Sequence, residues 1–179
     1  MKIAFAGAQS SGKTTLLKMM KEDPMFKDLE FCENITRKVQ AEGYSINENS
    51  NKNTQFRIAD SHKEVIQHEN FVADRSMIDC YVYSQYLADH DKLDLHDLFE
   101  LFCIMDELLP QYDYIFYVKP EFGLADDGVR SADQDFQDEI AGIFEWIMPH
   151  AAECTDVYLL EGESTERFKQ LKEILKGGN

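Results

Sequence analysis

Gly7-Ala8-Gln9-Ser10-Ser11-Gly12-Lys13-Thr14 matches the phosphate-binding loop pattern G-x-x-x-x-G-K-S/T at every fixed position. Its flanks agree with it. Lys2-Ile3-Ala4-Phe5-Ala6 is a short apolar run that reads as a buried strand, and Thr15-Leu16-Leu17-Lys18-Met19-Met20 reads as a helix with no breaker. Strand, glycine-bounded loop and helix are the arrangement this loop needs. Its backbone N–H groups turn inward, and the helix N-terminus adds partial positive charge. The candidate triphosphate contacts are Gly7, Gln9, Ser10, Ser11, Gly12, Lys13, Thr14 and Thr15. Lys13 would reach the β- and γ-phosphates, and the Thr14 hydroxyl would sit on Mg²⁺. ATP and Mg²⁺ are the expected cofactors.

Outward from the loop, apolar strands alternate with helical patterns. Strands are expected at Leu29–Cys32, Asn70–Ala73, Tyr114–Val118 and Val157–Leu160. Helices are expected at Ile35–Ala41 and Thr54–His68, from about Met77, and around Leu98–Leu109 with Asp94 as cap and Pro110 as stop. A further helix around Ile140–Ile147 should end near Pro149, and a last one carries Phe168, Leu171, Ile174 and Leu175. Ile46–Asn53 is an asparagine-rich loop, either a mobile surface loop or a substrate-side flap. The pattern predicts an α/β fold: a three-layer P-loop NTPase sandwich, with a parallel five-stranded sheet, helices on both faces and a small lid.

The 179 residues suit one domain, 1–179, with the lid at about 119–135. No apolar run is long enough to span a membrane. The chain opens directly on a strand, so no signal peptide is expected. Cys32, Cys80, Cys103 and Cys154 form no C-x-x-C pair and read as thiols in a reducing cytoplasm. His62 and His68 lack metal spacing. Net charge is −16, which argues against a nucleic-acid backbone as the main partner. Such a chain must gather its positive charge locally to hold a triphosphate. Of its arginines, Arg37, Arg57, Arg75 and Arg130 fall in segments assigned to the site, while Arg167 reads as a surface residue on the last helix.

Ligands of parallel sheets bind at the carboxyl ends of the strands. Asp74 ends the strand Phe71-Val72-Ala73 and suits a Mg²⁺-linked carboxylate, a base for an acceptor hydroxyl, or a cap for the helix after it. Arg75 suits the acceptor's phosphate or the transferring phosphoryl group, or a surface salt bridge. Glu33 and Arg37, four apart, would share a helical face. They suit a substrate hydroxyl and an anionic group, with Glu33 also a candidate base, or they form an ordinary ion pair. Glu121–Ser131 has glycines and no apolar period, and Arg130 on a closing lid would stabilise developing charge. The alternative is a solvated acidic loop. Gln55 and Arg57 are candidates for reading an acceptor base or sugar, or they lie on a solvated helix face. Glu161–Thr165 is a candidate for reading adenine.

Gly7–Thr14, Glu33 with Arg37, Asp74-Arg75-Ser76-x-x-Asp79 followed by Tyr81 and Tyr83, and Asp126-Asp127-Gly128-Val129-Arg130-Ser131 occur in an order that resembles P-loop nucleoside and nucleotide kinases. The likeness extends to the AAA-type ATP-binding family, with nicotinamide-riboside kinase domains and phage and bacterial nucleotide kinases. It implies that Lys13 and Thr14 bind triphosphate and Mg²⁺, that Arg130 is the lid arginine, and that Asp74-Arg75 acts like the pair of thymidylate kinases whose arginine holds the acceptor's phosphate. The chain departs from the family in having one lid arginine and an unmatched asparagine-rich loop.

The leading expectation is therefore phosphoryl transfer from ATP to a nucleoside or nucleoside monophosphate, catalysed by Lys13, Asp74, Arg75 and Arg130, with a homodimer possible. A kinase of a hydroxyl within nucleic acid is a second reading. A regulatory ATPase is a third, although no N-K-x-D base-specificity motif occurs.

Overall fold

A computed structural model describes residues 1–120 and 134–177. Residues 121–133, the greater part of the lid expected at about 119–135 and including Arg130, lie outside the described residues. The element order is β1 (Lys2–Ala6), α1 (Lys13–Glu22), β2 (Glu30–Cys32), α2 (Ile35–Ala41), α3 (Lys52–Val65), β3 (Phe71–Ala73), α4 (Met77–Asp89), α5 (Leu95–Leu108), β4 (Tyr114–Val118), α6 (Gln134–Cys154), β5 (Val157–Leu160) and α7 (Ser164–Gly177).

The strands form one parallel sheet in the order β2-β3-β1-β4-β5. In the centre Ile3 pairs with Val72 on one side and Tyr114 on the other. The sheet's two-residue period distributes β1 between two cores. Ile3 and Phe5 face α1 and α7, packing with Leu16, Leu17, Met20, Leu171 and Leu175. Ala4 and Ala6 face the helices of the other layer, where Val39, Met77, Val82, Leu101, Met105 and Phe144 are buried. Each such aliphatic or aromatic side chain contributes about 1.5–3 kcal/mol by leaving water. The layered parallel sheet is the one expected from the alternating pattern.

Because β1 lies between β3 and β4, the loops after β1 and β3 open side by side at the carboxyl edge. Chain order reverses here, which makes it the sheet's switch point for ligands. The phosphate loop and Asp74-Arg75 leave the sheet at this place.

Two local expectations are corrected. The sixth helix runs through Pro149 to Cys154. Proline removes one N–H and crowds the carbonyl four residues back, yet contacts beyond it hold the turn. Ala151 is fully buried, and His150 Nε2 lies 2.9 Å from Asp106 Oδ1 on α5. The asparagine-rich segment contains a 3-10 turn, Asn47–Asn49, and α3 begins at Lys52 because the Asn51 side chain caps the Thr54 N–H. Asp94 caps α5 as expected, accepting from the Asp97 N–H at 2.9 Å.

Candidate functional site

The loop from Gly7 to Gly12 needs unusual backbone. Gly7 has φ 145°, and a Cβ there would lie 2.3 Å from the Val118 carbonyl oxygen of β4. Gly12 has φ 99° and Ser10 φ 60°. Gly12 precedes α1 without a side-chain cap, and the partial positive charge of that helix N-terminus favours an anionic ligand. Lys13 Nζ donates to the carbonyls of Gly7 at 2.6 Å and Ala8 at 2.7 Å, and to Ser11 Oγ at 3.0 Å. These bonds hold the ammonium over the loop while the side chain is almost wholly buried.

Three distant elements brace the loop. Gln137 of α6 donates to the Gln9 carbonyl at 2.7 Å, and the Tyr83 hydroxyl of α4 donates to Gln9 Oε1 at 3.0 Å. Arg167 of α7 donates to the Ser11 carbonyl at 2.7 Å and to the Lys119 carbonyl at 3.3 Å. Arg167 is 1% exposed, which overturns its reading as a surface residue. Its guanidinium ties the phosphate loop to the end of β4. The only sequence signal was its place on the inner side of α7, one turn before Leu171.

A cleft of about 490 Å³ runs from this loop along the switch point. Gln9, Ser10, Ser11, Gly12, Lys13, Thr14 and Thr15 form one wall. Glu33, Arg37, Asp74 and Arg75 stand on the other, with Ser164 from the start of α7. Asp74 is not a helix cap, because α4 starts later. Ser76 is the cap, and its N–H and hydroxyl both donate to Asp79 Oδ2, at 3.1 and 3.2 Å. Asp74 Oδ2 accepts from the Asn34 N–H at 2.9 Å. Its Oδ1 is buried and has no hydrogen-bond partner among the described residues. That orphaned oxygen and the exposed Thr14 share one cleft, so the residues present fit a hard, oxygen-seeking cation such as Mg²⁺.

Arg75 is not a surface salt bridge. Its Nη1 donates to Asp79 Oδ1 at 3.0 Å, and its guanidinium lies 5.4 Å from the Tyr83 ring centre. Burial pushes the Asp79 carboxyl up, and Arg75, then Lys13, oppose that. The result is a rigid cation at the cleft's floor. Glu33 and Arg37 do not share a helical face: Glu33 precedes α2, separated from it by Asn34 at φ 63°. Glu33 forms an ion pair with Lys21 of α1. Both side chains nonetheless line the cleft.

The third helix separates its two candidates. Gln55 is 2% exposed and turns inward, its Nε2 donating to Ser50 Oγ at 2.9 Å. Arg57 turns away, making a two-pronged ion pair with Glu42, each contact at 2.8 Å. The structure does not bring Arg57 to the cleft. Among the described residues no helix is long and apolar enough to cross a membrane.

A phosphate loop at the switch point of a parallel sheet, faced by an Asp-Arg pair, defines a P-loop nucleotide-binding protein of the kinase-like fold. The chain belongs to a family described as an AAA domain, whose model matches residues 2–157. No curated protein matches it. Among solved structures it is similar to deoxyadenosine kinase from M. mycoides with dCMP and dCDP bound: TM-score 0.74, 13% identity, 100% of both chains covered. It is also similar to NadR in complex with NR: TM-score 0.68, 18% identity, covering 97% of this chain and 50% of NadR. A third is YorR from Bacillus subtilis, in complex with phosphorylated GDP: TM-score 0.59, 16% identity, covering 97% of this chain and 95% of that one. At these identities the likeness is one of fold.

Proposed function

We propose that this protein transfers the γ-phosphoryl group of ATP to a nucleoside or nucleoside monophosphate. The observation that carries the reading is the single cleft, with a phosphate loop on one wall and Glu33, Arg37, Asp74 and Arg75 on the other. A protein that only binds or hydrolyses ATP has no need of the second wall. The bound molecules of the similar structures, dCMP with dCDP and NR, favour the same acceptor class.

Phosphoryl transfer depends on positioning and charge neutralisation more than on covalent steps. The loop N–H groups and Lys13 would hold the β- and γ-phosphates. Thr14 and Asp74 would hold Mg²⁺, which when bound neutralises phosphate charge. Arg75 lies across the cleft from Lys13 and would hold the acceptor's phosphate or the transferring group. Asp79 and Tyr83 fix its guanidinium in place. Asp74 or Glu33 would accept the proton of an acceptor hydroxyl; a phosphate acceptor needs no base. Arg130, outside the described residues, is retained as the lid arginine, and Gln55 as a contact to the acceptor's base or sugar.

The test is ADP release from Mg·ATP with a panel of nucleosides, monophosphates and nicotinamide riboside. Strong stimulation by one acceptor, lost in Lys13→Ala, supports the reading. ATP hydrolysis indifferent to every acceptor rejects it.

A further inference from the structure

A second, smaller cavity opens behind Arg75. It shares Thr36, Ile46, Asn47 and Arg75 with the main cleft, so it is a continuation of that cleft away from the phosphate loop. Its volume is about 30 Å³. A water needs roughly 10–15 Å³ measured this way, so the space suits a water or one small substituent but not a whole ring. Its inner walls bring the polar side chains of Gln55, His62 and Asp79 together with Ile58, Cys80 and Tyr83.

His62 is the feature that calls for a ligand. It is 0% exposed, and neither Nδ1 nor Nε2 has a hydrogen-bond partner among the described residues. A buried imidazole left so is costly unless something pairs with it. Burial, helped by the Arg75 charge, pushes its pKa down to about 3. The ring is therefore neutral at any working pH, with one N–H donor and one bare nitrogen acceptor. The two charged side chains in the cavity's lining, Arg75 and Asp79, form an ion pair with each other. A neutral polar group therefore fits this pocket, whereas an anionic phosphate is better served by the open cleft in front of Arg75.

We propose that this pocket is a subsite for one exocyclic oxo or amino group of the acceptor's heterocyclic base, with His62 as the residue that hydrogen-bonds it. The inference rests on the proposed acceptor class and adds the determinant of base choice. Gln55 forms the neighbouring wall, and its amide is oriented by Ser50. In the unliganded protein a water can occupy the space. A substituent that reproduces a water's hydrogen bonds avoids the loss of affinity that follows when a ligand group cannot. A pocket built to hydrogen-bond a substrate group rejects the analogue lacking it, because its own polar groups are then left unpaired.

The experiment compares the best acceptor with its analogue lacking the exocyclic group. The pairs are adenosine with purine riboside, guanosine with inosine, and cytidine with pyrimidin-2-one riboside, each as nucleoside and monophosphate. For the wild type, kcat/KM should favour the intact base by about tenfold or more. In His62→Leu the preference should collapse to within about threefold with the KM for ATP unchanged, and His62→Asn should restore part of it. Circular dichroism and thermal melting establish that each variant folds. Should His62→Leu not fold, ¹⁵N shifts of the wild-type His62 ring serve instead, and they must move with the intact acceptor and not with its analogue. A preference unchanged in folded His62→Leu, or ring shifts indifferent to the acceptor, overturns the subsite while leaving the kinase intact. Absence of turnover with every acceptor rejects the kinase itself, and the subsite with it.

Discussion

Arg167 reaches from the final helix to the carbonyl of Ser11, a contact of 2.7 Å between residues 156 apart in sequence. A guanidinium with 1% exposure, bonded to two main-chain carbonyls, positions the phosphate loop without facing the cleft. Lysine cannot span both carbonyls, because it lacks the planar fork. Arg167→Lys should therefore raise the KM for ATP several-fold, and Arg167→Ala should also lower stability by about 1.5–3 kcal/mol. Nucleotide titration and urea unfolding measure the two effects.

Gly7→Ala tests the closeness of the loop to β4. The added Cβ meets the Val118 carbonyl oxygen at 2.3 Å, at a φ of 145°. Backbone clash at such a conformation costs roughly 1–3 kcal/mol or more. The variant should melt earlier than wild type and bind ATP poorly, whereas Gly43→Ala, with nothing within 4 Å of its Cβ and φ 98°, should cost only the strain of its backbone.

Asp74→Asn and Glu33→Gln separate two candidate bases. Asp74 lines the cleft and its buried Oδ1 has no partner among the described residues, whereas Glu33 is held by Lys21. If Asp74 holds the metal, Asp74→Asn should reduce turnover by about 100-fold or more with every acceptor. Loss through Glu33→Gln should appear with hydroxyl acceptors and be small with monophosphates. Magnesium titrations beside the kinetics distinguish them, since only Asp74→Asn should raise the magnesium requirement.

The buried His62 gives a pH signature. Its folded pKa, about 3, lies below the ordinary 6.5, so between those values the unfolded chain binds more protons. Stability from this group is complete above about pH 6.5 and falls as pH drops toward 3. Carboxylates also lose their charge below about pH 5. The clean comparison is therefore urea unfolding between pH 5 and 6.5, where wild type should lose stability and His62→Gln should lose less.

The strands, the phosphate loop and most helices were legible in the chain, because apolar periodicity and local caps such as Asp94 act over a few residues. Tertiary choices were not. Pro149 looked like a stop because the compensating contact, His150 to Asp106, joins two helices. Glu33 and Arg37 had the right spacing for a helix face, but a left-handed Asn34 starts the helix after Glu33. Gln55 and Arg57 are two apart, hence on different sides of α3, and sequence alone does not say which side faces the cleft. Arg167 and His62 carry polar side chains inside, and only the packed neighbours reveal what those side chains serve.

Phosphoryl transfer is read most directly from ADP release from Mg·ATP across nucleosides, nucleoside monophosphates and nicotinamide riboside, with Lys13→Ala as the blank. For a kinase, one acceptor should stimulate release strongly, the phosphorylated product should appear in equal amount, and folded Lys13→Ala should show neither. Wild-type turnover in Lys13→Ala, or ATP hydrolysis that no acceptor changes, would contradict it.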